Sequence, residues 1–272
     1  MNNKKNILGF LGSGNIAEAI LRSVLKAGTY MSSQIIASDI SAERRSVFEK
    51  LGASVTESNT EVCDKADLLI CALKPQDIST VLKEVYEHCR KEQLFISVAA
   101  GVSTESVEYY LEDIPVVRVM PNTPLLVGSG ACALSRGTHS DENHVKLVKD
   151  ILETGGIAVE INENMMDIVT ALSGSGPAYF FYIVEAFIRA AGDEGLNRDI
   201  AETLLFQTIK GSADMLLETD LSPEKLRRMV TSPGGTTEAA IKYFEKNDLC
   251  GTLKEGFQEA VERSKQLRHK DS

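Results

Sequence analysis

The chain has 272 residues, of which 43% are hydrophobic, and its formal net charge is −10 at pH 7. That length suffices for one large domain or for two modest domains with their own cores. The negative charge argues against nucleic acid as the main partner, because phosphate binding needs basic surfaces. No apolar run reaches the roughly 18 residues that a membrane span needs.

The cysteines and histidines bear on compartment and metal binding. Glycines interrupt the apolar segment that follows the N-terminal lysines, which is untypical of a signal peptide. The five cysteines are scattered and include no CxxC pair, so we expect reduced thiols in a cytoplasmic protein. The four histidines are dispersed without ligand spacing, and we expect no metal site.

A glycine-rich turn near the N-terminus is the first motif with chemical meaning. The apolar run 6–11 predicts a buried strand, and the apolar spacing after it predicts a helix that ends at Gly28. Gly12 permits a tight turn, Gly14 lets the backbone approach a pyrophosphate, and small Ala17 lets the helix pack on the strand. This G-x-G-x-x-A pattern predicts a dinucleotide site formed by Gly12, Ser13, Gly14, Asn15, Ile16 and Ala17.

The coenzyme is not decided by the residues after the second predicted strand, which ends in Ser38 and Asp39. Asp39 lies 22 residues beyond Ala17, where an acidic group usually binds the adenosine ribose, and its charge favours NADH. Ser38, Arg44 and Arg45 could instead hold the 2′-phosphate of NADPH, although the two arginines also suit a solvated helix face.

Alternating strands and helices in the first half predict a doubly wound parallel sheet. Further strands are predicted at 67–73, 94–100 and 115–119. Ligands bind at the carboxyl ends of such strands, and the segments 72–76, 98–102 and 120–124 leave them there. Small residues and proline dominate these segments, as a wall beside a nicotinamide requires. Lys74 is the exception: it either faces solvent or lies in a loop that Pro75 fixes against the cofactor.

From residue 163 onward the patterns are helical. The stretch 177–191 is apolar nearly all round, so we expect it to be buried on most sides, partly against another subunit. The helical runs 198–217 and 251–268 add further apolar faces. We therefore predict an α/β protein with a Rossmann-like dinucleotide-binding domain over 1–162. An all-helical, substrate-binding and dimerising domain follows over 163–272.

Two loops in the helical half precede helices. LSGSGPAY (172–179) and SPGGTT (232–237) both carry two glycines and a proline, and both offer amide donors at a helix N-terminus. Thr236 and Thr237 add hydroxyl groups. Such a loop binds a carboxylate without any arginine, although a threonine that simply caps its own helix is the alternative.

The combination of motifs resembles the pyrroline-5-carboxylate reductase family. GFLGSGNIAEAI, ALKPQ, VAAGV, MPNTP, ALSGSGPAY and SPGGTT occur in the family's order over nearly the whole chain. The resemblance implies reduction of 1-pyrroline-5-carboxylate to L-proline with a hydride from NAD(P)H, the last step of proline synthesis. It also implies an active site that combines one subunit's nucleotide domain with its partner's helices, in a homodimer or a larger homo-oligomer.

The same resemblance assigns roles to residues. Beside the glycine turn and Asp39, whose position already predicts its contact, the cofactor would contact Ser38, Asn59, Ala72, Leu73, Lys74, Pro75, Val98, Ala99 and Ala100. The imino-acid substrate would contact Glu163, Ser175, Gly176, Gly234, Gly235, Thr236 and Thr237, with the amides of Gly234 and Gly235 on its carboxylate. Thr237 is the catalytic candidate, near the ring nitrogen. Glu163 has an alternative role as a first-turn glutamate, and Asp39 departs from the family's common preference for NADPH.

Two other functions fit parts of the pattern. A β-hydroxyacid dehydrogenase or ketopantoate-type reductase needs a lysine proton donor in the helical half. The lysines there are polar helix or tail residues outside both glycine loops: Lys210, Lys225, Lys242, Lys246, Lys254, Lys265 and Lys270. A non-catalytic, dinucleotide-binding redox sensor would not need the small-residue wall. Reduction of an imine, which is protonated in water, also explains why no acid–base pair stands out.

Overall fold

The computed structural model describes residues 6–268; Lys270 lies outside the described residues. Eight strands form one sheet: β1 (Leu8–Leu11), β2 (Ile35–Ser38), β3 (Ser54–Thr56), β4 (Leu68–Cys71), β5 (Leu94–Ser97), β6 (Val116–Met120), β7 (Gly130–Arg136) and β8 (Gly156–Glu160). Their order is β3-β2-β1-β4-β5-β6-β7-β8. Strands β1 to β6 are all parallel to one another, β7 is antiparallel to β6, and β8 is parallel to β7.

Helices cover both faces of this sheet, which confirms the doubly wound prediction. They are α1 (Asn15–Ala27), α2 (Ala42–Lys50), α3 (Asn59–Lys65), α4 (Pro75–Val85), α5 (Thr104–Leu111) and α6 (Glu142–Leu152). One core forms between the sheet and α1, α2 and α6, and a second between the sheet and α3, α4 and α5. Strands β1, β2, β4 and β5 are buried throughout, because both of their faces are covered.

Three strands were not predicted: β3, β7 and β8. Strand β7 reads GACALSR, and its glycine, alanine and serine residues have weak strand preference. It forms because β6 and β8 pair with it on either side. A Cβ atom on Gly156 would lie 2.0 Å from the carbonyl oxygen of Gly130, so this close pairing requires glycine.

The chain from residue 163 onward is helical, as predicted. A single turn of 3₁₀ helix precedes α7 (Met166–Val169), a π-helical turn (Thr170–Gly174) and α8 (Gly176–Asp193). The remaining helices are α9 (Arg198–Glu218), α10 (Pro223–Met229), α11 (Thr236–Lys246) and α12 (Leu249–Arg268). None of the helices in residues 6–268 has the length and apolar character to cross a membrane.

The chain divides into two compact units. Among the described residues, the sheet unit comprises 6–177 and 260–268, and the helical unit comprises 178–259. This division differs from the predicted boundary at 162/163, because the first helical turns and the end of α12 pack with the sheet. Ser264 of α12, for example, donates a hydrogen bond of 2.8 Å to buried Asp167 of α7.

The helical unit has almost no core of its own. Of residues 178–259, all of which are described, Ala201 alone is buried. Large apolar side chains are exposed instead, among them Phe180, Phe181, Tyr182, Phe187, Leu204, Phe206, Leu217 and Leu253. Within one chain the stretch 177–191 is therefore mostly exposed, and its predicted burial, which included another subunit, stays a prediction. Burial of this surface requires a second chain.

Candidate active site

The glycine turn after β1 has the geometry that a pyrophosphate needs. Gly12 has φ of +90°, and a Cβ atom there would lie 2.9 Å from the carbonyl oxygen of Ala72, so only glycine fits. Helix α1 begins at Asn15 after the N-cap residue Gly14. The first-turn amides of Asn15, Ile16 and buried Ala17 have no acceptor within the helix. These donors and the helix dipole fit an anionic group at the turn.

The amide of Ser13 is already engaged within the protein. Ser13 is fully buried, and its N–H donates to Asp39 Oδ2 over 2.7 Å. Its hydroxyl donates to the carbonyl oxygen of Ser38. Ser13 therefore connects the glycine turn to the end of β2, while the donors open to a pyrophosphate are those of the residues that follow it.

A cavity of about 610 Å³ opens at the carboxyl ends of β1, β2 and β4, and we call it the carboxyl-edge cavity. Its size suits a cofactor. Predicted site residues that line it are Gly12, Gly14, Asp39, Asn59, Ala72, Leu73 and Lys74. The prediction missed Ile40 and Ser41, and it missed one face of α4: Asp77, Thr80, Val81 and Glu84. Their spacing of three or four residues was the signal that α4 presents this face to the cavity.

Ser38 lies beneath the carboxyl-edge cavity and does not line it. The side chain is fully buried, and its hydroxyl donates to Asn59 Oδ1 over 2.7 Å. Asn59 Nδ2 in turn donates to Glu84 Oε2 over 3.1 Å. The Ser38 hydroxyl thus orients Asn59, and its direct contact with the cofactor stays a prediction.

The small residues predicted to form a wall beside the nicotinamide lie after β4 and β5, and their contact with the cofactor stays a prediction. Val98 and Ala99 are buried, and Ala100 is partly exposed. Pro75 begins α4 at a position that tolerates a missing N–H. Lys74 is exposed and precedes it as the N-cap residue, without a side-chain capping hydrogen bond. The lysine is therefore exposed, and a backbone contact of this segment with the cofactor stays a prediction.

Asn122 joins the MPNTP segment to the LSGSG segment, and it was missed as a site residue. Its Nδ2 donates to the carbonyl oxygen of Ser173 over 3.1 Å, and its Oδ1 accepts from the amide of Ala131. A Cβ atom on Gly174 would lie 2.5 Å from Met120 Cε, so the two segments are in close contact. Polar asparagine at 8% exposure was the signal, because a buried amide needs partners.

The first part of the LSGSG segment belongs to the π-helical turn Thr170–Gly174. Such turns are rare overall but frequent at functional sites. The amide of Ser175 donates to the carbonyl oxygen of Thr170 over 2.8 Å. Gly176 is buried at the start of α8. Of the two amides predicted to bind substrate, those of Ser175 and Gly176, the Ser175 amide already donates to a carbonyl oxygen of the turn.

Glu163 is engaged by two protein groups in the sheet unit. Its Oε1 accepts from Nη1 of Arg118, a fully buried side chain of β6, and its Oε2 accepts from the Ser135 hydroxyl of β7. Nε and Nη2 of Arg118 have no hydrogen-bond partner among the described residues. The ion pair fastens the first helical residues to the sheet. Neither carboxylate oxygen of Glu163 is free of protein contacts, and its assignment to the substrate stays a prediction.

The SPGGTT loop lies in the helical unit, and its donors differ from those predicted. Gly234 has φ of +72°, and its amide donates to Glu238 Oε2 over 2.9 Å. The amide of Gly235 donates to the carbonyl oxygen of Ser232. Both glycine amides are therefore occupied. The Gly234 hydrogen bond, aided by the Lys242 ammonium group, lowers the pKa of Glu238 below its ordinary value.

The start of α11 supplies the donors that remain in this loop. Thr236 and Thr237 are its first two residues, and their amides have no acceptor within the helix. Gly235 is the N-cap residue and has no side-chain capping bond, so neither threonine caps the helix in the way that the alternative required. Two amides and two hydroxyls therefore remain for an anion.

Comparisons with known proteins agree on one family. A family model for pyrroline-5-carboxylate reductase dimerisation matches residues 163–267. A model described as NADP oxidoreductase, coenzyme F420-dependent, matches residues 7–101. A pyrroline-5-carboxylate reductase of Methanosarcina acetivorans is 39% identical over 99% of this chain and 100% of its own length. One from Pseudomonas aeruginosa is 39% identical over 96% of each chain.

Solved structures give the same result. The NADP-bound pyrroline carboxylate reductase of Plasmodium falciparum has a TM-score of 0.90 and 31% identity, covering 98% of this chain and 100% of its own. A pyrroline-5-carboxylate reductase from Coxiella burnetii has a TM-score of 0.90 and 37% identity, covering 97% and 99%. The chain therefore belongs to the pyrroline-5-carboxylate reductase family, NAD(P)H-dependent oxidoreductases that catalyse the last step of proline biosynthesis and carry a dimerisation domain.

Proposed function

We propose that this chain reduces 1-pyrroline-5-carboxylate to L-proline with NAD(P)H in the carboxyl-edge cavity and the substrate carboxylate at the start of α11. The observation that carries the proposal is that each unit offers one anion site. The sheet unit has the glycine turn before α1, and the helical unit has the unoccupied first-turn amides of α11. Bound NAD(P)H supplies the hydride that the imine carbon accepts.

On the cofactor side, the protein binds and excludes water. The amides of Asn15 and Ile16 hold the pyrophosphate, and Asp39 with Asn59 lies at the adenosine end. The small residues Val98 to Ala100 form an apolar wall that keeps water from the transferred hydride. No charged side chain is needed in this wall, because the reaction moves no proton there.

On the substrate side, the amides of Thr236 and Thr237 bind the carboxylate, and the Thr237 hydroxyl lies near the ring nitrogen. The neighbouring amide of Gly234 already binds a carboxylate within the protein, that of Glu238. This contact supports the loop as a carboxylate-binding conformation. Gly235 contributes backbone conformation instead of the donor first expected of it.

The reaction needs little acid–base chemistry from the protein. A cyclic imine is protonated in water, and the resulting iminium carbon accepts a hydride directly. The protein's task is to hold that carbon within about 3–3.5 Å of the hydride donor. An alcohol-forming dehydrogenase would need an acid for the developing alkoxide, and the SPGGTT loop contains no lysine or histidine for that role.

The oligomer is part of the proposal. The nucleotide domain is assigned to 1–162 and the dimerising, substrate-binding domain to 163–272, and a homodimer forms through the latter. The lack of a core in 178–259 supports this pairing, as does the dimerisation model that begins at 163. A cytoplasmic location is also proposed, and the five free cysteines support it.

Substitution of Thr237 tests the proposal. We expect Thr237→Ala to lower kcat/KM by about 100-fold, as expected for a lost hydrogen bond to a charged group. Thr237→Ser keeps the hydroxyl and should recover most of the activity. Thr236→Ala is the comparison variant: it removes the neighbouring hydroxyl, leaves both backbone amides in place, and should lower kcat/KM less than Thr237→Ala does. Turnover at the wild-type rate by Thr237→Ala would refute a direct role for the hydroxyl.

A further inference from the structure

We infer that this chain binds NADH more tightly than NADPH, because a fixed carboxylate and two paired arginines surround the site of the adenosine ribose. The inference rests on the proposed function, which assigns the dinucleotide to the carboxyl-edge cavity. NADPH differs from NADH by one phosphate on the 2′ oxygen of that ribose. The phosphate carries about −1.5 to −2 charges at neutral pH, so the charges that face the ribose decide the preference.

Asp39 is the carboxylate that faces this end of the cavity, and it is held from two sides. Its Oδ2 accepts from the Ser13 amide over 2.7 Å, and its Oδ1 accepts from the Ser41 amide over 2.8 Å. These bonds come from the glycine turn and from the segment before α2. A carboxylate offers about four acceptor sites, so each oxygen keeps capacity for a ribose hydroxyl. Asp39 cannot turn away from a phosphate without breaking both amide bonds.

Arg44 lines the cavity, but its charge is already paired. Its Nε donates to the carbonyl oxygen of Ser13 over 2.6 Å, and its Nη2 donates to Glu18 Oε2 over 2.9 Å. Burial raises the pKa of Glu18, but the hydrogen bonds from Arg22 and Arg44 outweigh it, and the pKa lies below its ordinary value. Glu18 is therefore ionised at neutral pH and is shared between Arg22 and Arg44. To reach a 2′-phosphate, Arg44 would have to give up its bonds to Glu18 and to the Ser13 carbonyl oxygen.

Arg45 is engaged in the same way on the outer side of the loop. Its Nη1 donates to the carbonyl oxygens of Asp39 and Ile40, and its Nη2 forms an ion pair of 2.5 Å with Glu57. Recruitment of Arg45 to a 2′-phosphate would break the bonds that shape the loop after β2. Neither arginine predicted for NADPH is thus available without cost.

The other charged residues of the cavity do not offset the negative charge of Asp39 near the ribose. Lys74 follows β4, whereas Asp39 follows β2, and β1 lies between those two strands. At about 4.8 Å per strand, the two sites are roughly 10 Å apart across the sheet. The α4 face adds two more carboxylates, Asp77 and Glu84. Acidic groups outnumber basic ones around the cavity, and the nearest to the ribose is acidic.

Nucleotide binding to the full chain tests the inference without turnover. Titration of NADH and of NADPH, followed by nucleotide fluorescence with no imine present, should give a Kd for NADH at least about tenfold lower. Asp39→Asn should narrow this ratio to near one. Asp77→Asn is the matched comparison, because it removes the same charge from the same cavity, on α4 instead of the loop after β2, and it should narrow the ratio much less.

A second variant keeps the test valid if Asp39→Asn disturbs the glycine turn. Ile40 is 94% exposed and borders the cavity, so Ile40→Arg adds a cation beside the ribose and leaves both Asp39 bonds intact. It should lower the Kd for NADPH by about tenfold. Equal or tighter binding of NADPH by the wild type would overturn the inference and leave the proposed function standing. Equal shifts with Asp39→Asn and Asp77→Asn would overturn the role of Asp39. Failure to bind either nucleotide would overturn the proposed function itself.

Discussion

The sheet unit and the helical unit differ in where their apolar surface is buried. In the sheet unit, Phe10 and Phe95 lie in cores on opposite faces and are fully buried. In the helical unit, Phe180 and Phe181 are both more than 60% exposed, and Ala201 alone is buried. The cofactor cavity thus belongs to a part that one chain completes. The proposed substrate loop belongs to a part that one chain leaves without a core, so we expect substrate binding to depend on association.

The largest expected effect comes from a charge on the exposed helices. Phe187 of α8 is 50% exposed, and Phe187→Glu would bury a carboxylate in the surface between two chains. The cost should weaken association by about 3 kcal/mol or more, over a hundredfold in Kd. Analytical ultracentrifugation should show loss of the dimer, and activity should fall with it. Tyr109→Glu is the control: Tyr109 is 80% exposed on the sheet unit, and this variant should keep its mass and activity.

The next largest effect concerns the ion pair between Arg118 of β6 and Glu163 at the start of the helical residues. Glu163→Gln leaves the buried guanidinium of Arg118 without its carboxylate, which should lower the free energy of unfolding by about 3 kcal/mol. Urea unfolding measures the change. The double variant Arg118→Met with Glu163→Met removes both charges and should recover most of the loss. If Glu163→Gln instead keeps full stability and raises KM, Glu163 contacts substrate.

Substitution of two glycines with positive φ distinguishes the effect of backbone strain from the effect on nucleotide binding. Gly12→Ala adds backbone strain and a 2.9 Å contact with a carbonyl oxygen, so we expect a loss of about 2 kcal/mol of stability and at least about tenfold weaker nucleotide binding. Gly28 has φ of +70° and open space around it. Gly28→Ala should cost about 1 kcal/mol and leave nucleotide affinity unchanged. Equal nucleotide affinity in both variants would contradict the role of the glycine turn.

The smallest expected effect lies in the SPGGTT loop. The hydrogen bond from Gly234 lowers the pKa of Glu238 in the folded protein. Its contribution to stability is therefore complete above the ordinary glutamate pKa of about 4.3, and it disappears as the pH falls through the lower pKa of the folded state. Glu238→Gln should lower Tm at pH 7 by about 1 °C and remove this pH dependence. Thermal unfolding between pH 3 and 7 measures it, and identical curves for both proteins would contradict the contact.

The sequence predicted the features that local pattern determines. The glycine turn, the buried runs of β1 and β4 and the helical second half follow from short-range spacing. Strand β7 depends on pairing with β6 and β8, which its own composition does not favour. The acceptors of the Gly234 and Gly235 amides, Glu238 and the carbonyl of Ser232, were not predicted, because these contacts depend on the conformation of the turn.

Polar contacts between residues far apart in the sequence could likewise not be predicted from local patterns. The pairing of Arg118 with Glu163 joins residues 45 positions apart, and Asn122 reaches Ser173 across 51 positions. Spacing along the chain contains no information on such contacts. A buried arginine in an apolar strand was the signal that some carboxylate had to reach it.

A crystal structure of the protein with L-proline bound tests the central claim most directly, since proline is the product and carries the same carboxylate. The account predicts that this carboxylate accepts hydrogen bonds from the amides of Thr236 and Thr237 at the start of α11. Proline lodged elsewhere, such as beside Arg118, with solvent at those two amides, would contradict it.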